Sequence, residues 1–334
     1  MMAMVLRLLL LAMYPLRSST RRWKLMERFL HLNLSPDKAR SVELACTASG
    51  KPLGAYYFWK VSQALQFMAL RHLNEQSALQ LISNLDVTDY DKFGAVTNSN
   101  RGCLLAIPHH GPFCFSIVAL VERLRHKRPV LVFYNSPEEH ASNGIFDDLY
   151  LRLYRDSSTG VTIAHNSRAG IAMASKHLKA GSFVVIMPDV YARQEDTYQL
   201  PFLGRSRNVM LGTASLARHC SASILPLSAD LCGDGVRFRT RFGALIEPAS
   251  SIARTRVGGQ AWDLWSDYRT TLTMFRSLGE LMREQLFQWQ YCDSHYLSDL
   301  APPSLRFEEL TQLLDLLPKD PRVQVSSHSP IVVE

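Results

Sequence analysis

From residue 102 to residue 242, short apolar runs alternate with stretches of helical spacing, and this alternation limits the possible fold more than any other feature. The runs LLAI (104–107), VLVFY (130–134), VTIA (161–164) and FVVIM (183–187) are short and mostly apolar at successive positions. Unbroken apolarity of this length, bounded by turn residues, marks strands buried on both faces. Helical spacing fills the gaps over 115–124, 144–154 and 169–179, and Gly181 closes the last of these as a C-cap. A helix over 210–220 and a strand over 222–231 follow, then a Gly233-Asp234-Gly235 turn into an antiparallel partner over 236–242. Strand–helix units in series predict the α/β class, a mostly parallel sheet covered by helices on both faces.

An amino-terminal helical subdomain is expected ahead of this core. Residues 1–14 are apolar but interrupted by Arg7 and ended by Pro15, short of the roughly 20 residues a membrane span needs. Arg17, Arg21, Arg22 and Lys24 follow, which predicts a helix lying in the membrane interface or a short anchor on anionic headgroups. Ser35-Pro36 is a helix start, with serine as N-cap and proline at the first position. Tyr56-Tyr57-Phe58-Trp59 opens an apolar helix to about 73, suited to core packing or to the wall of an acyl pocket. Residues 262–290 read as one long amphipathic helix. The expected division is a membrane-associating region over 1–100, an α/β domain over 101–300, and a helix with a mobile tail over 301–334.

Charge narrows the partners. Lys and Arg number 37 against 30 Asp and Glu, a formal net charge of +7 spread along the chain. That suits anionic partners such as phospholipid headgroups or phosphate-bearing cosubstrates. No dense basic block or aromatic-plus-basic module points to nucleic acid. The six cysteines include no C-x-x-C pair, so neither a zinc site nor a disulfide framework is expected, and a reducing, cytoplasmic compartment is.

Three blocks carry chemistry. The first is His109-His110-Gly111-Pro112, at the carboxyl end of the first core strand, where open α/β sheets place ligands. A neutral imidazole there is a candidate general base. The second is Met187-Pro188-Asp189 at a later strand end, followed by a polar loop that includes Arg193. The third is Pro201-Phe202-Leu203-Gly204-Arg205-Ser206-Arg207, read as a tight turn opening a helix, where arginines and free amides would hold a phosphate or an oxyanion. Cys114, close to the histidines, is a further candidate as a nucleophilic thiolate.

In order, GCLLAIPHHGPFC, MPDVYARQEDTYQLPFLG and LGTASLARHCSASILPL resemble the blocks of the bacterial lipid A late acyltransferases (lauroyl and myristoyl transferases). These form a branch of the lysophospholipid acyltransferase-like superfamily, and the resemblance spans about 102–296. It implies a glycerolphosphate-acyltransferase-like fold at the cytoplasmic face of the inner membrane. It also implies transfer of a fatty acyl group from acyl-carrier protein or coenzyme A to a hydroxyl or amine of a lipid or specialised metabolite. The thioester supplies the leaving group, so no metal or other cofactor is implied. His109 would be the base, with His110, Cys114 and Asp189 beside it. Tyr134, Asn135, Arg193, Gly204, Arg205 and Arg207 would bind substrate. Two departures stand out. The family carries a carboxylate five positions after its histidine, where this chain has Cys114, and its Tyr-Arg-Pro segment reads Tyr134-Asn135-Ser136-Pro137. Asp189, Glu138 or Glu139 would then have to supply the charge from another loop. The alternatives are an inactive lipid- or thioester-binding relative, or Cys114-dependent acyl transfer or hydrolysis.

Overall fold

A computed structural model describes residues 34–71, 85–87, 90–154, 160–190, 197–231, 238–248 and 259–295. The expectations for residues 1–33, for Arg193 and for the tail after 317 lie outside these residues.

The chain enters through α1 (Pro36–Ala48), where Ser35 accepts from the Lys38 amide as N-cap and Pro36 occupies the first turn, and continues into α2 (Leu53–Leu70). A short strand, β1 (Leu85–Val87), and a helix, α3 (Tyr90–Thr97), precede the core. Then come β2 (Cys103–Ala106), α4 (Phe113–Arg125), β3 (Val130–Tyr134), α5 (Gly144–Leu153) and β4 (Val161–His165). Helix α6 (Arg168–Lys179) leads to β5 (Phe183–Ile186). A hairpin of β6 (Tyr198–Phe202) and β7 (Arg205–Val209) follows, then α7 (Gly212–Cys220), β8 (Ser223–Leu231) and β9 (Phe238–Phe242). Helix α8 (Gly259–Met282), a 3-10 segment (Arg283–Gln288) and the short α9 (Cys292–His295) end the described chain.

Seven strands form one sheet in the order β1-β9-β8-β2-β5-β3-β4. The five from β8 to β4 are parallel to one another, while β9 runs antiparallel to β8 and parallel to β1. The α/β reading of the sequence is borne out. Alternate residues of each strand feed two cores. Leu104, Ala106, Leu131, Phe133 and Val184 face α1, α2, α6, α7 and α8. Cys103, Leu105, Val130, Val132 and Val185 face α4 and α5. Tyr56, Tyr57 and Trp59 lie in the first of these cores and Phe58 packs half-buried against it, so these rings serve the scaffold.

Two local expectations fail for physical reasons. Arg205 and Arg207 do not open a helix. Leu203 and Gly204 take positive φ of 50° and 76°, the turn of a two-residue hairpin, and both arginines lie on β7. The long helix expected over 262–290 stops at Met282. Gln285 is non-helical (φ −134°, ψ 36°), and Trp289 is extended and bridges antiparallel to His110. The apolar period continues past the break because this strap still packs on the core, so the break leaves no mark in the pattern.

Candidate active site

The sheet register assembles the site. Ala106 of β2 pairs with Ile186 of β5, and His109 and Asp189 each stand three residues further on (109 − 106 and 189 − 186). Neighbouring parallel strands deliver their following loops side by side, here at the carboxyl edge of the sheet. His109 Nδ1 lies 2.8 Å from Asp189 Oδ1, and the His109 amide donates to Asp189 Oδ2 at 2.9 Å. The imidazole keeps 13% of its side-chain surface exposed while Asp189 is fully enclosed. With Nδ1 on the carboxylate, Nε2 has no hydrogen-bond partner among the described residues. Phe113 and Tyr291 close on the ring edge to face, at centroid distances of 4.9 and 5.5 Å.

Asp189 is held on every side. Trp289 Nε1 donates to Oδ2 at 2.8 Å, and Arg207 Nη2 donates to its main-chain carbonyl at 2.6 Å. Burial pushes the Asp189 carboxyl up, but facing His109, the hydrogen bonds from His109 and Trp289, and Arg207 outweigh it, so its pKa lies below the usual range. The group is a buried, ionised carboxylate locked against one histidine nitrogen.

His110 faces the other way. It is fully buried, with Nε2 2.8 Å from the Gln285 carbonyl and Nδ1 2.8 Å from Ser228 Oγ and 3.0 Å from the Ala229 carbonyl. Burial lowers its pKa. Polar groups of β8 and of the strap engage both ring nitrogens, which makes His110 a wedge between these two elements, with no nitrogen left for substrate. Gly111 beside it requires glycine: φ is +58°, and a Cβ would sit 1.8 Å from the Ala229 carbonyl oxygen.

Cys114, on the first turn of α4, is buried among apolar side chains, and burial drives its thiol well above the ordinary range. That environment belongs to an inert cysteine. Glu138 and Glu139 are exposed on the turn after β3, and the carboxylate that reaches His109 is Asp189. Tyr134 ends β3 with its hydroxyl donating to Asp147, which also meets His165 Nε2 at 3.1 Å. Asn135 accepts from Asn143 on its carbonyl and from Asn166 on its side chain. These two therefore belong to a separate polar cluster around β3 and β4. Gly204 is the hairpin turn and Arg205 is half-buried on β7. Arg207, expected to meet an anion, is 4% exposed, with its guanidinium over the rings of Trp289 (4.7 Å) and Tyr291 (5.3 Å). It braces the acid from behind.

The sequence reading missed Trp289 and Tyr291. Trp289 carries the same apolar period as α8 and Tyr291 lies just past it, and nothing local distinguishes them. Among the described residues no group of three or more His, Cys, Asp or Glu is placed to hold a metal ion. No helix of the described residues is long and apolar enough to cross a membrane.

The molecule is thus an α/β protein with a carboxylate-backed histidine at the carboxyl edge of a mostly parallel sheet, an arrangement suited to taking a proton from an attacking group. The family model for bacterial lipid A biosynthesis acyltransferases matches residues 57–292. The chain belongs to that family, as the resemblance of its blocks led us to expect, and family membership points to acyl transfer onto a lipid acceptor. A comparison with curated proteins finds no match.

Proposed function

We propose that the protein transfers a fatty acyl group from an acyl thioester, carried by acyl-carrier protein or coenzyme A, to a hydroxyl or amine of a lipid or specialised metabolite. His109 is the general base and Asp189 its orienting acid. The observation that carries this reading is the 2.8 Å contact between His109 Nδ1 and the enclosed Asp189 carboxylate. It fixes the tautomer that leaves Nε2 basic, the task the acid performs in a Ser-His-Asp triad.

In this scheme Nε2 takes the proton of the acceptor O–H or N–H as that atom attacks the thioester carbonyl. The tetrahedral intermediate collapses with cleavage of the C–S bond, and the imidazolium returns the proton to the departing thiolate. The carbon–oxygen or carbon–nitrogen bond formed replaces the carbon–sulfur bond broken, and the reaction needs no metal or redox cofactor. Phe113, which meets the His109 ring, also lines a small apolar crevice with Phe67 and Leu70. The net charge of +7 supports work at the anionic cytoplasmic face of the inner membrane, where such acceptors reside.

The test is thiol release from acyl-CoA and acyl-carrier-protein donors, followed by mass spectrometry over an acceptor panel. His109→Ala should lower kcat by about 10³-fold or more. Retention of wild-type turnover in that variant would overturn the assignment of the base. Tight donor binding with no turnover on any acceptor would instead support the inactive binding relative.

A further inference from the structure

The carboxylate of this site comes from a loop 80 residues away from its histidine, so something must hold that loop in register with the base. Trp289 does so at several points. It is fully buried, and its backbone bridges antiparallel to His110. Its neighbours close the same clasp, with the Gln290 amide donating to the His109 carbonyl at 2.9 Å and the Gly111 amide donating to the Gln288 carbonyl at 3.1 Å. Its indole N–H donates to Asp189 Oδ2 at 2.8 Å. One residue therefore ties the main chain of the base to the side chain of the acid.

We infer that Trp289 is a positioning residue of the dyad, acting through Asp189. The inference rests on the His109–Asp189 reading above. Packing alone does not require an indole here. The ring meets Phe202 and His295 edge to face and lies under Arg207, contacts that a phenylalanine ring would largely keep. What the indole adds, and a phenyl ring would not, is a second donor on Oδ2 beside the His109 amide. With that donor in place, the carboxylate plane cannot turn about its Cβ–Cγ bond without losing the hydrogen bond, so Oδ1 stays aimed at Nδ1. Arg207 stacks on the indole and holds the Asp189 main chain, which makes the clasp continuous from β7 through the strap to the acid.

Trp289→Phe keeps a ring and removes the donor. A hydrogen bond to a charged group of this kind sets the expected loss at about 10- to 100-fold in kcat, with KM within about twofold, because the residue contributes no surface to the substrate. A second measurement leaves Trp289 in place and does not depend on the Trp289→Phe variant folding. In wild-type protein labelled with ¹⁵N-tryptophan, one of the five indole signals should be shifted downfield and protected from exchange. That signal should move upfield in Asp189→Asn while the other four stay in place. An indole signal unmoved by Asp189→Asn, or a folded Trp289→Phe enzyme with wild-type kcat, overturns the inference. If His109→Ala also retains turnover, the base assignment falls as well. If His109→Ala is inactive while Trp289→Phe is unimpaired, only the role of Trp289 falls.

Discussion

Replacing Asp189 by asparagine changes one atom, and the geometry dictates which way the new amide turns. The side chain meets three N–H groups: the His109 amide at 2.9 Å and the Trp289 indole at 2.8 Å converge on Oδ2, and His109 Nδ1 stands 2.8 Å from Oδ1. An asparagine has one acceptor oxygen and one donor nitrogen. Its oxygen must take the position where two donors converge, since the opposite flip would set NH₂ against two N–H groups. The NH₂ then faces Nδ1, which is forced to become an acceptor and to move the ring proton to Nε2. The base is present but carries its proton on the nitrogen that should receive one. Loss of the correct tautomer in a comparable triad costs about 10⁴ in kcat. Allowing for residual turnover from positioning alone, Asp189→Asn should lose about 10³- to 10⁴-fold, or about 4–5.5 kcal/mol of barrier. The assay is steady-state thiol release from the acyl thioester, with a thermal melt to show that the fold persists. A folded variant working within tenfold of wild type would show that Asp189 does not set the tautomer, and the reasoning would fail.

Two further outcomes follow from the surroundings. Cys114→Ala should keep kcat within about threefold, because its thiol is buried with a pKa driven well above the ordinary range; an acyl adduct on Cys114, detected by mass spectrometry after incubation with donor, would contradict this. His110 has a pKa lowered mainly by burial, with Asp230 opposing and Arg241 adding to the shift. The unfolded chain therefore binds this proton more readily than the folded one, so His110 supports stability above the unfolded value near 6.5 and destabilises as pH falls below it. Denaturant unfolding at pH 8 and pH 5 should show the drop, and His110→Asn should flatten it; an unchanged slope in that variant would refute the attribution.

The scaffold was legible because its strands state their burial directly. Runs such as VLVFY and FVVIM are apolar at each position, and both lie in the parallel centre of the sheet. Gly181, expected to close a helix, does so with φ of +81° one residue past the Ala180 cap. The β6–β7 hairpin was read instead as a turn into a helix, because its strands carry two arginines and a proline, residues that sequence patterns assign to loops. Arg207 was the most misleading of these, since its charge suggested an exposed anion site. In the structure the charge is buried by stacking on Trp289 and Tyr291, a partnership more than 80 residues away in sequence (289 − 207) that no local pattern records. The pairing of His109 with Asp189 could be named as one of three options, but only strand adjacency selects it.

The same adjacency supplies the acid that position 114 does not. Position 114, where the family resemblance places a carboxylate, sits on the first turn of α4 and points into the core shared with Leu70 and Tyr150. The neighbouring Phe113 takes the contact with the His109 ring. An acid paired with this imidazole needs a place beside Nδ1 and N–H donors of its own. The partner strand meets both requirements at once. β5 lies in register with β2, the Ile107 amide extends that pairing by donating to the Ile186 carbonyl at 3.0 Å, and the loop after β5 emerges where a carboxylate can meet Nδ1 and two further N–H donors. The pair is therefore held by the parallel sheet rather than by one helix, and its geometry depends on whatever keeps the two loops together, which in this molecule is the strap that carries Trp289.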